Sequence, residues 1–215
     1  MQVDSIISTD SYIIISIDVD IFMDGGVAMA TEDRGWVRDV CLEWKGDDPA
    51  DLLERLMGDC RCATFGPVHH YVVGAALLTC SWDGSSGWDL GHVLDELSER
   101  TSCVPGASCA KWGVCGAAAS CGMAFALLAG NSPLRMEGWS EGQLMVADIL
   151  RGIAEAGAPR CCKRDSRIAV AIAVPWFNGH LGTHMTTGEE TPACGVSGAN
   201  SACLGRACPY FAELR

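Results

Sequence analysis

The sequence has few basic residues and no long apolar run. Lys and Arg number 15 against 27 Asp and Glu, which gives a formal net charge of −12 over 215 residues. A surface for nucleic acid or for an anionic membrane needs clustered Lys and Arg, so we expect the protein to bind neither. Its apolar stretches are too short, or too often interrupted by glycine, to span a bilayer.

The N-terminus also lacks the pattern of a secretion signal, because no basic region there precedes an apolar stretch and a small-residue cleavage site. We therefore expect a cytoplasmic protein. Hydrophobic residues make up 49% of the chain and charged residues 20%. This composition supports a sizeable core and excludes global disorder.

Cysteine is the residue type in excess, with 13 copies. An odd count in a reducing compartment is poorly explained by a disulfide framework. The paired C-x2-C knuckles typical of structural zinc sites are absent as well. The cysteine content therefore favours metal binding or thiol chemistry in a reducing or anaerobic cell.

Periodicity and capping signals predict a mainly α-helical domain over residues 48–215, preceded by a β-hairpin region over residues 1–47. Residues 12–22 and 27–31 have the patterns of the two hairpin strands. Residues 178–215 are predicted to be an irregular, cysteine-rich segment. Helices are predicted at 49–57, 67–79, 88–100, 113–129 and 140–157, and from Asp165 or Ser166 to just before Pro175.

The first candidate site is a glycine-rich segment in which Cys109, Cys115 and Cys121 follow one another at intervals of six. This interval turns each side chain by about 240° on an α-helix, so one continuous helix cannot direct all three to one ion. We expect Cys109 in a loop and Cys115 in the first helical turn, where backbone N–H groups stabilise a thiolate. Both are candidate metal ligands, whereas Cys121 is expected in the core.

The second candidate site is the segment 160–167, Arg-Cys-Cys-Lys-Arg-Asp-Ser-Arg, which contains four of the 15 basic residues. Neighbouring cations lower a thiol pKa, and adjacent side chains diverge, so one cysteine of the pair should react or bind metal while the other packs. We assign Cys161 to a metal and Cys162 to catalysis. Lys163 and Arg164 are the cations expected to hold a small anionic substrate. A solvated basic turn with a buried cysteine is the alternative.

The third candidate site is Cys194-x8-Cys203-x4-Cys208-Pro209. Spaced cysteines that end in Cys-Pro occur in iron–sulfur proteins, where four thiolates hold the cluster, although this spacing matches neither ferredoxin pattern. We predict that all three bind metal, with iron–sulfur favoured over zinc. A tail that merely packs on the core is the alternative. A fourth ligand could come from Cys161, Cys162, Cys109 or Cys115.

Two adjacent histidines, His69 and His70, lie early in a predicted helix. Their side chains point about 100° apart on a helix, so only one can face a given site. A lone histidine on an apolar helix is more often a core or surface residue than a ligand, and we favour that interpretation for both.

Four segments together resemble an uncharacterised cysteine-rich family of anaerobic bacteria and methanogenic archaea. They are Gly106-x2-Cys109-x2-Trp112-Gly-x-Cys115-Gly-Ala-Ala, Arg160-Cys-Cys-Lys-Arg-Asp-Ser166, Asn200-x2-Cys203-x4-Cys208-Pro209, and His69-His70. The similarity extends over roughly residues 50–211. Some family members are joined to S-adenosylmethionine-dependent methyltransferase domains, so the resemblance implies a methyltransferase-type or redox partner protein. It implies no particular reaction.

These observations predict a helical domain that assembles one metal centre, a 4Fe–4S cluster, with redox or sulfur-transfer chemistry in anaerobic metabolism. The alternative is a zinc-stabilised, non-catalytic accessory domain that binds a methyltransferase-type partner. A third hypothesis is a cluster-free dithiol protein that works by thiol–disulfide exchange.

Overall fold

The computed structural model describes residues 34–84, 87–188 and 192–212. Within these ranges the chain is mainly α-helical, with eight helices and no β-strand, which confirms the predicted class at that level. The predicted hairpin of residues 12–31 lies outside the described residues. No helix in these ranges is long and apolar enough to cross a bilayer. The helices are α1 Gly35–Glu43, α2 Pro49–Met57, α3 Val68–Ser81, α4 Leu90–Ser102, α5 Ser108–Lys111, α6 Gly116–Ala129, α7 Trp139–Glu155 and α8 Cys162–Leu181.

Helix α3 is the centre of the core. All of its residues from Val68 to Cys80 are buried, as expected for a helix that is apolar on every side. Helices α1, α2, α4, α6 and α8 pack around it. Helix α6 is the second central element, because it also packs against α4, α7 and α8. The two central helices therefore position the elements that carry the candidate cysteines.

Helices α3 and α6 approach each other closely at Gly74 and Ser120. The Gly74 N–H donates to the Ser120 hydroxyl oxygen at 2.9 Å. A Cβ atom added at Gly74 would lie 2.8 Å from that oxygen and 2.9 Å from the Cδ2 atom of Leu97 in α4. Only glycine therefore allows α3, α4 and α6 to meet at this point.

Five of the six predicted helices occur with ends within three residues of those predicted. Helix α2 has the predicted start, since Pro49 is its first residue and the Asp48 carboxylate accepts from Ala50 N–H at 2.7 Å. Helix α1 was not predicted. Its N-cap residue, Arg34, makes no side-chain capping hydrogen bond, so the usual start signal is missing and packing of its apolar face stabilises it instead.

The predicted bounds of the last helix were wrong at both ends. Helix α8 begins at Cys162 and continues through Pro175 to Leu181. Pro175 and Ala171 lie on an exposed face, so water can reach the Ala171 carbonyl that the proline leaves without a donor. Buried Val174 and Phe177 keep the helix on the core beyond the proline. The predicted catalytic residues consequently lie in the first turn of a long helix.

The Gly74→Ala variant should lower the free energy of unfolding by about 1–3 kcal/mol, because the added methyl group overpacks the junction of α3, α4 and α6. Urea denaturation of the purified protein measures this change. Gly179→Ala in α8 is the matched control, since a Cβ atom there meets nothing within 4 Å. The control should leave stability unchanged or raise it by up to about 1 kcal/mol. Equal effects of the two variants would contradict the close approach at Gly74.

Candidate functional site

The first turn of α8 separates two cavities, because the adjacent side chains of Cys161 and Cys162 face different ones. We call the first the four-cysteine cavity, since Cys161, Cys194, Cys203 and Cys208 line it together. We call the second the histidine cavity, since Cys162 lines it with His69, Cys109 and Cys115. The diverging directions expected of adjacent side chains therefore place the two thiols in separate environments.

The four-cysteine cavity forms where the C-terminal segment folds over the start of α8. Two polar groups donate to its sulfur atoms: the Asn200 amide to Cys161 Sγ at 3.6 Å, and the Gly205 N–H to Cys203 Sγ at 3.4 Å. The Cys194 N–H donates to the Tyr210 carbonyl at 2.7 Å, which joins the two ends of the segment. The open volume is about 20 Å³, room for one water-sized group.

Arg167 joins the four-cysteine cavity to the helical core. Its guanidinium makes two hydrogen bonds to the Glu54 carboxylate of α2, at 2.6 and 2.7 Å. The same group lies 5.3 Å from the centre of the Tyr210 ring. Because Arg167 is buried, this arrangement fixes the C-terminal segment against both α2 and α8.

Lys163 and Arg164, the predicted catalytic cations, are buried side chains whose donors bind protein atoms. Lys163 Nζ donates to the Met57 carbonyl at 2.7 Å. The Arg164 guanidinium donates to the Gly157 carbonyl at 2.7 Å and to the Asp165 carboxylate at 3.1 Å. These bonds fix the position of the first turn of α8. They also place positive charge beside the four-cysteine cavity, which both side chains line.

Three helices begin at the histidine cavity. His69 and His70 lie in the first turn of α3, Cys115 is the N-cap residue of α6, and Cys162 is the first residue of α8. Cys109, in the short helix α5, lines the same cavity. Helix N-termini carry partial positive charge, which helps to stabilise an anion or a metal-bound thiolate in this cavity. Its volume is about 130 Å³.

His69 offers an unshared nitrogen lone pair in this cavity. Its ring Nδ1 lies 3.2 Å from the Gly66 carbonyl, and because a carbonyl only accepts, Nδ1 carries the proton and Nε2 carries the lone pair. The Nε2 atom is buried and has no hydrogen-bond partner. Burial, together with the nearby charge of Lys163, lowers the pKa of His69 to about 3. The imidazole is therefore neutral at physiological pH.

Unpartnered polar atoms are concentrated around the histidine cavity. In the described part of the chain, six buried side-chain polar atoms lack a hydrogen-bond partner, and three of them belong to His69, His70 and Ser108. Each such atom costs roughly 1–3 kcal/mol when nothing satisfies it. The cavity therefore favours a group that can bind these atoms.

Burial raises the pKa of two thiols of the histidine cavity, Cys115 and Cys162. Burial raises the pKa of Cys115 to about 11, and the N–H groups of Ala117 and Ala118 offset only part of that rise. Burial likewise raises the pKa of Cys162, despite the nearby N–H of Gly66 and the charge of Arg160. The neighbouring cation Arg160 does lower the pKa of Cys162, as predicted, but burial outweighs its effect. A bound metal ion, by contrast, deprotonates a coordinating thiol outright.

The six predicted metal ligands divide between the cavities instead of meeting at one centre. His69 and His70 were favoured as core or surface residues, only one of which could face a given site, yet both are buried and both line the histidine cavity. The position of His69 two residues after Pro67, at a helix start, was the available signal. Among the described residues, no three His, Cys, Asp or Glu side chains stand at the spacing of ligands around a single ion. The four-cysteine cavity has Cys161, Cys194, Cys203 and Cys208, and the histidine cavity has Cys109 and Cys115.

A model of a family of unknown function, DUF5714, matches residues 37–211. The chain belongs to this family. Both cavities lie inside the matched range, so both are parts of the DUF5714 domain and not of an added segment. No curated protein and no solved structure is significantly similar to the chain.

The Lys163→Met variant should lower the free energy of unfolding by about 1–3 kcal/mol, because the buried Met57 carbonyl loses its donor. Chemical denaturation under reducing conditions measures the change. Lys45→Met, at an exposed position, is the control and should stay within about 0.5 kcal/mol of the wild type. Unchanged stability of Lys163→Met would contradict this structural role.

Proposed function

We propose that this protein binds a 4Fe–4S cluster through Cys161, Cys194, Cys203 and Cys208. The observation that carries the proposal is the meeting of these four thiols, from two segments of the chain, at one cavity. Four cysteine thiolates are the common ligand set of such a cluster. The ligands Cys109 and Cys115, expected from the sequence at the same centre, are left out because they line the other cavity.

The spacing of the donors is compatible with a cluster. Each thiolate of a 4Fe–4S cluster binds a different iron, so the sulfur atoms stand farther apart than around one ion. Four cysteines line this cavity, and among the described residues no three donor side chains have single-ion spacing. A single ion would therefore require the cysteine side chains to rotate inward.

The surroundings suit the charge of a cluster with four thiolates, which is negative overall. Lys163, Arg164 and Arg167 bring buried positive charge to the cavity wall. The donors from Asn200 and Gly205 reach sulfur atoms directly. Hydrogen bonds to sulfur and nearby cations stabilise the more negative, reduced cluster and so raise its reduction potential.

A redox function fits this site better than sulfur transfer. When bound, the cluster supplies one-electron transfer. Four protein thiolates leave the cluster no open position for a substrate. We further propose that the protein acts in the cytoplasm of an anaerobe with a methyltransferase-type or redox partner. This part of the proposal is based on the sequence and its resemblance to the cysteine-rich family.

Zinc is the second candidate, and the volume of the cavity favours it. The cavity volume of about 20 Å³ matches the size of a single ion more closely than that of a four-iron core. Four thiolates form a closed tetrahedral zinc site that stabilises a fold without catalysis. In that case the protein is the non-catalytic accessory domain of a methyltransferase-type partner.

Protein purified without oxygen should be brown and contain about four iron and four sulfide per chain. The double variant Cys203→Ser/Cys208→Ser should lose both, because each substitution removes a ligand. Cys60→Ser/Cys103→Ser is the matched control, since both cysteines are exposed and neither lines the cavity. The control should retain full iron and sulfide.

Two results would contradict the cluster. A colourless protein whose zinc content falls by one ion per chain in Cys203→Ser/Cys208→Ser, but not in Cys60→Ser/Cys103→Ser, would establish the zinc alternative. Iron and sulfide that remain in Cys203→Ser/Cys208→Ser would show that the cluster lies elsewhere.

A further inference from the structure

We propose that the histidine cavity is a second metal site, distinct from the four-cysteine cavity. It would bind a zinc ion through His69 Nε2 and the thiols of Cys109, Cys115 and Cys162. The inference does not depend on what occupies the four-cysteine cavity.

His69 has the features of a metal-binding histidine. Such residues donate one ring N–H to a carbonyl or carboxylate, which fixes the tautomer and directs the other nitrogen at the metal. His69 makes this bond to the Gly66 carbonyl, and its Nε2 is buried without a partner. A hydrogen-bonded core histidine would have no such unshared lone pair.

The donor set of the cavity suits zinc. Three thiols and one imidazole complete a Cys3His set, which is among the usual closed sets for this ion. The four donors come from three places in the chain: α3, the α5–α6 region and the start of α8. Asp165 also lines the cavity, but its carboxylate already pairs with Arg164 at 3.1 Å. We therefore do not count it as a ligand.

The charge around the cavity supports thiolate ligands. Zinc with three thiolates and a neutral imidazole has one net negative charge, which the N-termini of α3, α6 and α8 stabilise. Arg160 at the cavity wall donates from Nη1 to Cys162 Sγ at 3.4 Å. This bond provides further positive charge and orients one ligand.

Zinc binding must draw the thiols together, since no three donors of the described chain stand at single-ion spacing. Each cysteine sulfur moves by rotation about its Cα–Cβ bond. The imidazole of His69 is already oriented and provides the fixed point of the site. The cavity of about 130 Å³ leaves room for the sulfur atoms to turn inward.

The test uses the full chain carrying Cys203→Ser/Cys208→Ser, which removes the four-cysteine site. The protein is first stripped of metal and is kept under reducing, anaerobic conditions. Titration with Co²⁺, a coloured substitute for zinc, should give one ion per chain and thiolate-to-cobalt charge-transfer absorption. Zn²⁺ should then displace the cobalt. Cys109→Ser in this background should lower the absorption per bound cobalt by about one third, because one of three thiolates is lost.

His69→Asn in the same background should weaken Co²⁺ binding at least tenfold, a loss typical of damage to a metal site. His92→Asn is the control, since His92 is an exposed residue of α4, and should change nothing. Far-ultraviolet circular dichroism checks that each variant is folded. If His69→Asn does not fold, Cys109→Ser still tests whether cobalt binds at the histidine cavity.

Absence of bound cobalt in the Cys203→Ser/Cys208→Ser background would overturn the second site. Binding that is unaffected by both His69→Asn and Cys109→Ser would overturn it as well. Iron and sulfide in the wild-type protein report the four-cysteine cavity independently, so failure of this inference is distinguishable from failure of the proposed cluster.

Discussion

The buried first turn of α8 is the constraint on which both cavities depend. Charged side chains enter a protein interior only when partners compensate them. Lys163, Arg164 and Arg167 each have such a partner on another part of the chain, including the Met57 carbonyl and the Glu54 carboxylate. These bonds fix where the helix starts and how it is turned about its axis. The two cysteines at that start consequently face opposite ways.

Position in the fold separates the core cysteines from those of the two cavities. Cys41, Cys80 and Cys121 lie in the core, and burial raises the pKa of each thiol. Burial has the same effect on Cys115 and Cys162, but these two line a cavity. A thiol enclosed in the core behaves as a small hydrophobic side chain. The cysteines of the two cavities differ because helix N-termini, cations or polar donors surround them. The excess of cysteine in this chain therefore has more than one physical reason.

The sequence predicted those features, such as helix starts, that depend on interactions between residues close in the chain. The Asp48–Pro49 start of α2 was readable because the capping bond forms between neighbours in sequence. The grouping of Cys161 with the C-terminal cysteines was among the expected arrangements. The alternative of a solvated basic turn at 160–167 was wrong, because Lys163, Arg164 and Arg167 are buried. No local pattern shows this, since the partners of Lys163 and Arg167 lie more than a hundred residues away. The role of His69 depends on the meeting of three helices, which no local pattern encodes.

The position of the four-cysteine cavity in the chain has a consequence for the order of assembly. Cys194, Cys203 and Cys208 follow all eight helices of the described residues. During synthesis the N-terminal part of a domain emerges first, so the helices and all the donors of the histidine cavity leave the ribosome before these cysteines. The helical body can therefore fold while Cys161 is still the only thiol of its set. If the four-cysteine cavity binds the proposed cofactor, insertion would follow the folding of the helices and would be completed by closure of residues 194–208 over the start of α8.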